Sequence, residues 1–516
     1  RGLGDVYKRQ ILGKILSTPN IVIIMADQLA PQFTSAYGNE KIKTPNMNKL
    51  AKNGMRFDAA YCNAPLCAPS RFSFMSGQHI TRIAAYDNAS EFPATIPTFA
   101  HYLKLMGYRT CLSGKMHFVG PDQLHGFEER LTTDIYPADH AWTPDWEAPD
   151  ERIDKWYHNM ESVREAGVTN TTFQYEYDEE TTFYARRRIF EYAMEDIKPF
   201  CMVVSLIHPH DPYLARPEHW GLYNHDEIQM PIIPPSSDPH SERLRHGIQA
   251  DVVKVTDDEI RNARHAYFAN CSYFDDNVGV VVKALEESGQ IDNTIVIVTS
   301  DHGDMLGERG LWYKMNMFEH SARVPLLISG PGVVKGTSDS PCSLVDLLPT
   351  ILDIGQKEKP EIVMPIDGRS LWPVAQGKVE KNGEAIAEYC AECASHPMFM
   401  IRRGHFKYIH CEVDPPQLYN IHDDPQELNN LIEDQRFKEM AESFEREVLS
   451  RWDSEAIRKN VIATQKQRRG IHAAMEAGIS QSWDYNPPRD ASNEFVRNHM
   501  DWLVAQETKR YPPHQR

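Results

Sequence analysis

The chain has 516 residues, 41% apolar and 25% charged, a globular composition that excludes collagen-like and disordered classes. Its 55 basic and 73 acidic residues leave a net charge of −18, the wrong sign for a nucleic-acid or anionic-membrane partner, which needs a basic face. No apolar run approaches the ~20 residues of a membrane span. Nine scattered cysteines, an odd number, do not form a disulfide framework, so a reducing, cytoplasmic setting is expected.

In chain order, residues 1–10 match no pattern that follows, and 1–16 are set apart as foreign to the fold or disordered. Four short β-rich runs read as strands: 20–26, 108–112, 200–207 and 294–299. Near-continuous apolar runs of this kind are buried on both faces of a parallel or mixed sheet. Helical patterns lie between them at 47–53, 97–106, 181–196 and 257–288, and the alternation predicts an α/β sandwich. In such sheets the site lies beyond the carboxyl ends of the strands. Each run here ends in reactive residues: Asp27-Gln28, Ser113-Gly-Lys-Met-His117, His208-Pro-His-Asp-Pro-Tyr213 and Ser300-Asp-His-Gly-Asp304. Residues 120–180 form an aromatic, Asp-rich insertion, and 229–240 a Pro-rich loop. From 385 the pattern changes to a small antiparallel sheet (385–389, then 398–409 turning at Arg403-Gly404) and one charged, helix-like run over 437–474. The expected organisation is a catalytic α/β domain over 17–384, a small α+β subdomain over 385–475 and an extended tail over 476–516.

The segment Leu66-Cys67-Ala68-Pro69-Ser70-Arg71 carries the most chemistry. Pro69 and Ser70 suit the first turn of a helix. Cys67 would then sit at a helix N-terminus, where amide dipoles favour anions, with Arg71 one turn on. As plain chemistry this is an activated thiol facing an anion, against the alternative of a buried structural cysteine.

Cys67-Ala-Pro-Ser-Arg71 also resembles the Cys-x-Pro-Ser-Arg motif of the type I sulfatases, whose cysteine is oxidised to formylglycine. Other segments are similar to that family: 20–27, Thr44-Pro-Asn-Met-Asn-Lys-Leu50, Gly114-Lys-Met-His117, Pro209-His-Asp-Pro212, Ser300-Asp-His-Gly303 with Gly310-Leu-Trp-Tyr-Lys314, and the C-terminal Leu418-Tyr-Asn420 with 424–431. Within the family the likeness is to the choline sulfatases, through Met25-Ala-Asp-Gln-Leu29, 114–121, 208–213 and Arg497-Asn-His-Met-Asp501.

The resemblance implies an alkaline-phosphatase-like α/β sandwich, with a large mixed, mostly parallel sheet between helices. It implies one divalent metal ion held by Asp27, Cys67, Asp301 and His302. Gln28 and His302 stand where the family more often has Asp and Asn, so the expected Ca²⁺ leaves Mn²⁺ and Mg²⁺ open. It implies hydrolysis of a sulfate ester by the hydrated aldehyde from Cys67. Arg71, Lys115 and Lys314 would hold sulfate oxygens. His210, then Lys314, would protonate the leaving group, with His208 a close neighbour, and His117 would serve as the base that releases sulfate.

The implied substrate is choline sulfate, a small sulfate ester with a cationic head held by aromatic faces and carboxylates. Trp142, His158, Asn159 and Asp501 are the expected binding residues. The tail from about 480 is expected to reach a neighbouring subunit of a homo-oligomer, a dimer or tetramer. Three alternatives stand beside this reading. One is a phosphonate monoester or phosphodiester hydrolase, or an arylsulfatase, of the same superfamily. Another is a non-catalytic sulfate-ester-binding protein with an unmodified Cys67. The third concerns Cys390-Ala-Glu-Cys393, where reduced structural thiols are preferred to a zinc or redox site.

Overall fold

The computed structural model describes residues 18–195, 198–355, 358–380 and 382–477. An eight-stranded sheet is built from β1 (Asn20–Asp27), β2 (Met55–Phe57), β3 (Arg109–Gly114), β4 (Glu129–Arg130), β5 (Phe200–Pro209), β6 (Thr294–Ser300), β7 (Leu326–Ser329) and β8 (Gly336–Ser338). The strand order is β8-β2-β7-β6-β1-β5-β3-β4. Only β7 runs against its neighbours, so the expected mixed, mostly parallel sheet is present. Every residue of β1, β5 and β6 is buried, as the unbroken Val/Ile runs require of central strands covered on both faces.

The register positions the site. Ile21 to Met25 of β1 pair in step with Cys201 to Ser205 of β5, and Ala26 pairs with Ser300 of β6. The three strands therefore end together and deliver Asp27, His210 and Asp301 to one edge. Helices α1 (Pro45–Asn53), α2 (Cys67–Ser76), α3 (Phe99–Leu105), α4 (Phe173–Glu195), α5 (Asp257–Glu287) and α6 (Leu347–Ile354) flank the sheet. Of these, α1, α4 and α5 pack as one group and α2, α3 and α6 as another.

Three sequence expectations need correction. Helix α4 begins eight residues before 181, because Tyr175, Tyr177 and Asp178 of its first turns are buried and extend the helix. The charged run over 437–474 is two helices, α7 (Lys438–Arg451) and α8 (Ser454–Glu476); Asp453 restarts the chain as an N-cap by accepting the Ala456 N–H. The small sheet has four strands, β9 (Glu384–Tyr389), β10 (Met398–Arg403), β11 (Phe406–Cys411) and β12 (Asp414–Asn420). The last escapes a pattern reading because Pro415 and Pro416 demote it. They are tolerated because β12 is an edge strand paired only to β11.

One face of the small sheet joins the main core, while Phe399, Ile401, Tyr408 and Leu418 pack against Ala441, Phe444 and Val448 of α7. Lys407 of β11 locks this sheet to the site loop. Its buried ammonium lies 2.8 Å from Glu319 and 2.6 Å from Glu427 and donates to the Met317 carbonyl at 2.9 Å. Removing one partner of such a network leaves an uncompensated buried charge. Lys407→Met is expected to cost about 3–5 kcal/mol in denaturant unfolding. The double variant Lys407→Met/Glu319→Gln should recover part of that loss.

Candidate active site

Cys67 opens α2, all ten of whose residues are buried. Its Sγ lies 3.3 Å from His302 Nε2 and 3.9 Å from Asp27 Oδ1. His302 Nε2 in turn lies 3.8 Å from Asp27 Oδ1 and 3.7 Å from Asp301 Oδ1. The four donor atoms of Asp27, Cys67, Asp301 and His302 fall within 4.8 Å of one another.

The surroundings decide which atoms face the centre. Arg71 places Nε on Asp301 Oδ2 at 2.8 Å and Nη2 on Asp27 Oδ2 at 3.0 Å, and Nη1 donates to the Lys115 carbonyl and to Ser205 Oγ. Lys115 also pairs with Asp27 Oδ2. Both Oδ2 atoms are thus occupied by cations; Asp27 Oδ1 faces Cys67 Sγ, while Asp301 Oδ1 accepts the Gln28 and His302 N–H groups at 3.1 and 2.9 Å. His302 Nδ1 contacts the Gly303 carbonyl at 3.0 Å, which fixes its proton there and leaves the Nε2 lone pair inward. Burial pushes the His302 ring below its ordinary value, which favours its neutral form. Burial raises Asp27, but Lys115, His210 and Arg71 outweigh it and hold the carboxyl well below the usual range. Two hard oxygens, one imidazole nitrogen and the Cys67 position are a donor set that fits a divalent ion.

The structure changes four readings. Burial and then Asp27 push the Cys67 thiol up to about 11, so the helix terminus does not make it a thiolate. Four of the five Arg71 N–H groups are held by the metal-site carboxylates, a carbonyl and Ser205, which makes Arg71 a clamp on the centre rather than a sulfate ligand. His208 bonds Asp178 at 2.7 Å beneath Tyr175 and is not directed at Cys67. His210 places Nδ1 2.7 Å from the Asp211 carbonyl and Nε2 2.9 Å from Lys314 Nζ. Burial and then Lys314 push His210 well down. Lys314 itself is held above its usual value, against burial, by Cys67 and by Asp211, Asp27 and Asp301. The proton of that pair therefore sits on Lys314, not His210. Gln28 holds Lys314 from the other side at 2.6 Å, and Asp304 fixes the Gln28 amide at 2.8 Å.

His117 is buried, and neither ring nitrogen has a partner among the described residues. Burial and then Lys115 lower it to about 3, so the ring is neutral. Its ring lies 5.1 Å from Tyr136 and 5.7 Å, edge-on, from Trp142. Lys115 lies 4.1 Å from the Tyr136 ring centroid. Gln28, His117, Tyr313 and Met315 all carry positive φ (68°, 56°, 64° and 74°), and such strained backbone clusters at functional positions.

Of the expected substrate residues, Trp142 meets the His117 ring and His158 lies 6.0 Å from the His210 ring. His158 stacks on Tyr313 at 4.4 Å and lies 3.8 Å from Asp211. The Asn159 side-chain oxygen accepts from the Glu161 N–H at 2.8 Å, and its backbone carbonyl accepts from the Tyr313 hydroxyl. Asp501 lies outside the described residues. Tyr136 and Asp304 were missed by sequence reasoning. Asp304 stands in the 300–304 run, whereas Tyr136 lies in an aperiodic insertion and has no sequence signal. All nine cysteines are unpaired and buried, which fits structural thiols at Cys390 and Cys393. Among the described residues no helix is long and apolar enough to cross a membrane.

The family model for sulfatases matches residues 19–356. The chain belongs to the sulfatase family. Two further models match this sulfatase: the C-terminal part of N-sulphoglucosamine sulphohydrolase over 307–453, and the choline sulfatase C terminus over 459–511. The choline-sulfatase of Rhizobium meliloti (strain 1021) is 46% identical over 505 residues, covering 96% of this chain and 98% of that protein. Arylsulfatase K of Danio rerio is 28% identical over 518 residues, covering 94% and 95%. The phosphonate monoester hydrolase of Agrobacterium radiobacter shares the fold at a TM-score of 0.67 and 20% identity, over 84% of this chain and 95% of its own.

Asp134 supports the His117 turn by accepting the Met116 and His117 N–H groups at 3.0 and 2.9 Å. Burial raises its carboxyl, but Arg130 and His117 outweigh this and hold it at about 2, against an ordinary 3.8. A depressed carboxylate stabilises the fold above the unfolded pKa and loses that contribution as pH falls through the folded one. Asp134→Asn is expected to cost about 2 kcal/mol at pH 7 by denaturant titration. The deficit should shrink from about pH 4 towards pH 2; a pH-independent deficit would contradict the assignment.

Proposed function

We propose that this sulfatase hydrolyses choline sulfate to choline and sulfate, using formylglycine derived from Cys67 and one divalent ion. The observation that carries the reading is the convergence of Asp27 Oδ1, Asp301 Oδ1 and His302 Nε2 on Cys67 at the start of α2, with two buried ammonium groups beside it. When present, the ion and the oxidised Cys67 supply an acidified oxygen nucleophile for attack on sulfur. A protonated, buried thiol is a poor nucleophile, which favours the modified residue over cysteine catalysis. The carboxylate oxygens suit Ca²⁺, and the imidazole keeps Mn²⁺ and Mg²⁺ as competitors.

The remaining steps fall to the chain. Arg71 holds the two carboxylates in place. Lys115 and Lys314 attract the sulfate oxygens as charge-assisted donors. An alkoxide leaving group needs a proton, and Lys314, resting on His210 Nε2, carries one. His117, neutral and unpartnered, accepts the proton when sulfate is released. The cationic head is read from the 46% identical choline-sulfatase and from the match of the choline sulfatase C-terminal model. Trp142 and His158 offer it aromatic faces, and Asp501 a carboxylate. The tail over 476–516 is read as reaching a neighbouring subunit of a homo-oligomer. Nine unpaired thiols suit a cytoplasmic setting.

The test is kcat/KM for choline sulfate, an aryl sulfate and a phosphonate monoester, side by side, with Cys67→Ala as control. Choline sulfate should be the best substrate, and Cys67→Ala should lose at least about 10³-fold. A preference for the phosphonate ester, or an active Cys67→Ala, would overturn the reading.

A further inference from the structure

A second group of metal-binding side chains stands apart from the Cys67 centre. The donor atoms of His158, His210 and Asp211 fall within 4.8 Å of one another, and the group shares no residue with Asp27, Cys67, Asp301 and His302. Asp211 lies between the two rings. Its Oδ1 is 3.1 Å from His210 Nδ1, and its Oδ2 is 3.8 Å from His158 Nδ1. Zinc bonds of about 2.0–2.2 Å set the donors of a tetrahedral shell about 3.3 Å apart, so the three side chains need move little to share one ion.

The carboxylate lacks a fixed counter-charge. Asp211 is 9% exposed, and among the described residues its ion-pair partners are these two histidines. Burial pushes both rings well below their ordinary value, so both are neutral. Lys314 spends its own contacts on Gln28 and His210. Burying a charge without close pairing is costly, and a divalent ion between the three donors removes that cost.

The neighbours orient the donors. Ser162 Oγ donates to Asp211 Oδ2 at 3.2 Å, and Gln28 Nε2 donates to Asp211 Oδ1 at 3.4 Å. His158 stacks on Tyr313. Lys314 occupies His210 Nε2, which leaves Nδ1 for a metal. Coordination there replaces the Nδ1–H bond to the Asp211 carbonyl and releases that proton to solvent. The His158 side chain is 22% exposed and gives an ion its way in. Two imidazole nitrogens and one carboxylate favour Zn²⁺ over Ca²⁺ or Mg²⁺, unlike the oxygen-richer centre at Cys67.

We propose that His158, His210 and Asp211 form a second, inhibitory metal site that takes a nitrogen-preferring divalent ion such as Zn²⁺. An ion there sets a further positive charge beside Lys314, whose proton the reaction uses, and withdraws the His158 ring from the substrate. The inhibition rests on the reading of the pocket given above. The ion site does not.

The test dialyses the protein, first saturated with Ca²⁺, against micromolar Zn²⁺. All divalent ions bound per chain are then counted by mass spectrometry in wild type, His158→Gln and Asp211→Asn. The proposal expects two ions in wild type and one in each variant, the retained ion showing that the variant is folded. A wild type with one ion overturns the proposal, because zinc has then replaced the first ion or failed to bind. Two ions in His158→Gln also overturn it, as an adventitious ion only. In the same samples Zn²⁺ should inhibit choline sulfate hydrolysis by wild type, reversibly on chelation. The half-inhibiting concentration should rise at least about 10-fold in His158→Gln. Equal zinc sensitivity of the two proteins overturns the inhibitory role. A wild type that does not hydrolyse choline sulfate contradicts the substrate reading, and the ion count then decides the site by itself.

Discussion

Two buried carboxylates side by side are the constraint on which the rest of the site depends. Asp27 and Asp301 arrive on parallel neighbours, β1 and β6, whose register leaves them no choice but proximity. Unpaired, they would repel and protonate. Arg71 bridges them with two N–H groups, and Lys115 adds a second cation on Asp27. Because these cations take the Oδ2 atoms, both Oδ1 atoms lie towards His302 Nε2, Asp27 Oδ1 also towards Cys67 Sγ, while Asp301 Oδ1 accepts two backbone N–H groups as well. The same clamp that makes the pair tolerable thus prepares a centre with inward lone pairs, as electrostatic preorganisation requires.

The surrounding architecture serves that arrangement. The N-terminus of α2 presents Cys67 to the centre while Arg71, one turn later, returns to the carboxylates. Left-handed backbone at Gln28 and His117 turns two side chains at the ends of β1 and β3. Lys314, itself between two left-handed residues, is held by Gln28 and His210. The small C-terminal sheet contributes through Lys407, whose ion pairs fix the loop just beyond Lys314.

Much of this was legible in the amino-acid order. Four buried strands ending in reactive residues define the sheet edge, and Pro69-Ser70 places Cys67 at a helix start. What escaped depends on partners, which a pattern does not carry. Arg71 reads as a cation near an anion site, but its four contacts come from β1, β5, the segment after β3 and the segment after β6. His208 and His210 are chemically equal in sequence, and only Asp178 and Lys314 separate them. The thiol of Cys67 reads as activated by a helix dipole, whereas burial beside Asp27 has the larger effect. Tyr136 lies in a turn without periodicity, where one aromatic residue resembles any other.

The most direct test of the prepared metal centre is divalent-ion binding by equilibrium dialysis, with Ca²⁺ and Mn²⁺, on wild type and Asp301→Asn. The account predicts a single saturable ion per chain in wild type, and loss of that ion in the variant with secondary structure unchanged. A wild type without saturable binding, or an Asp301→Asn protein that binds equally well, would contradict it.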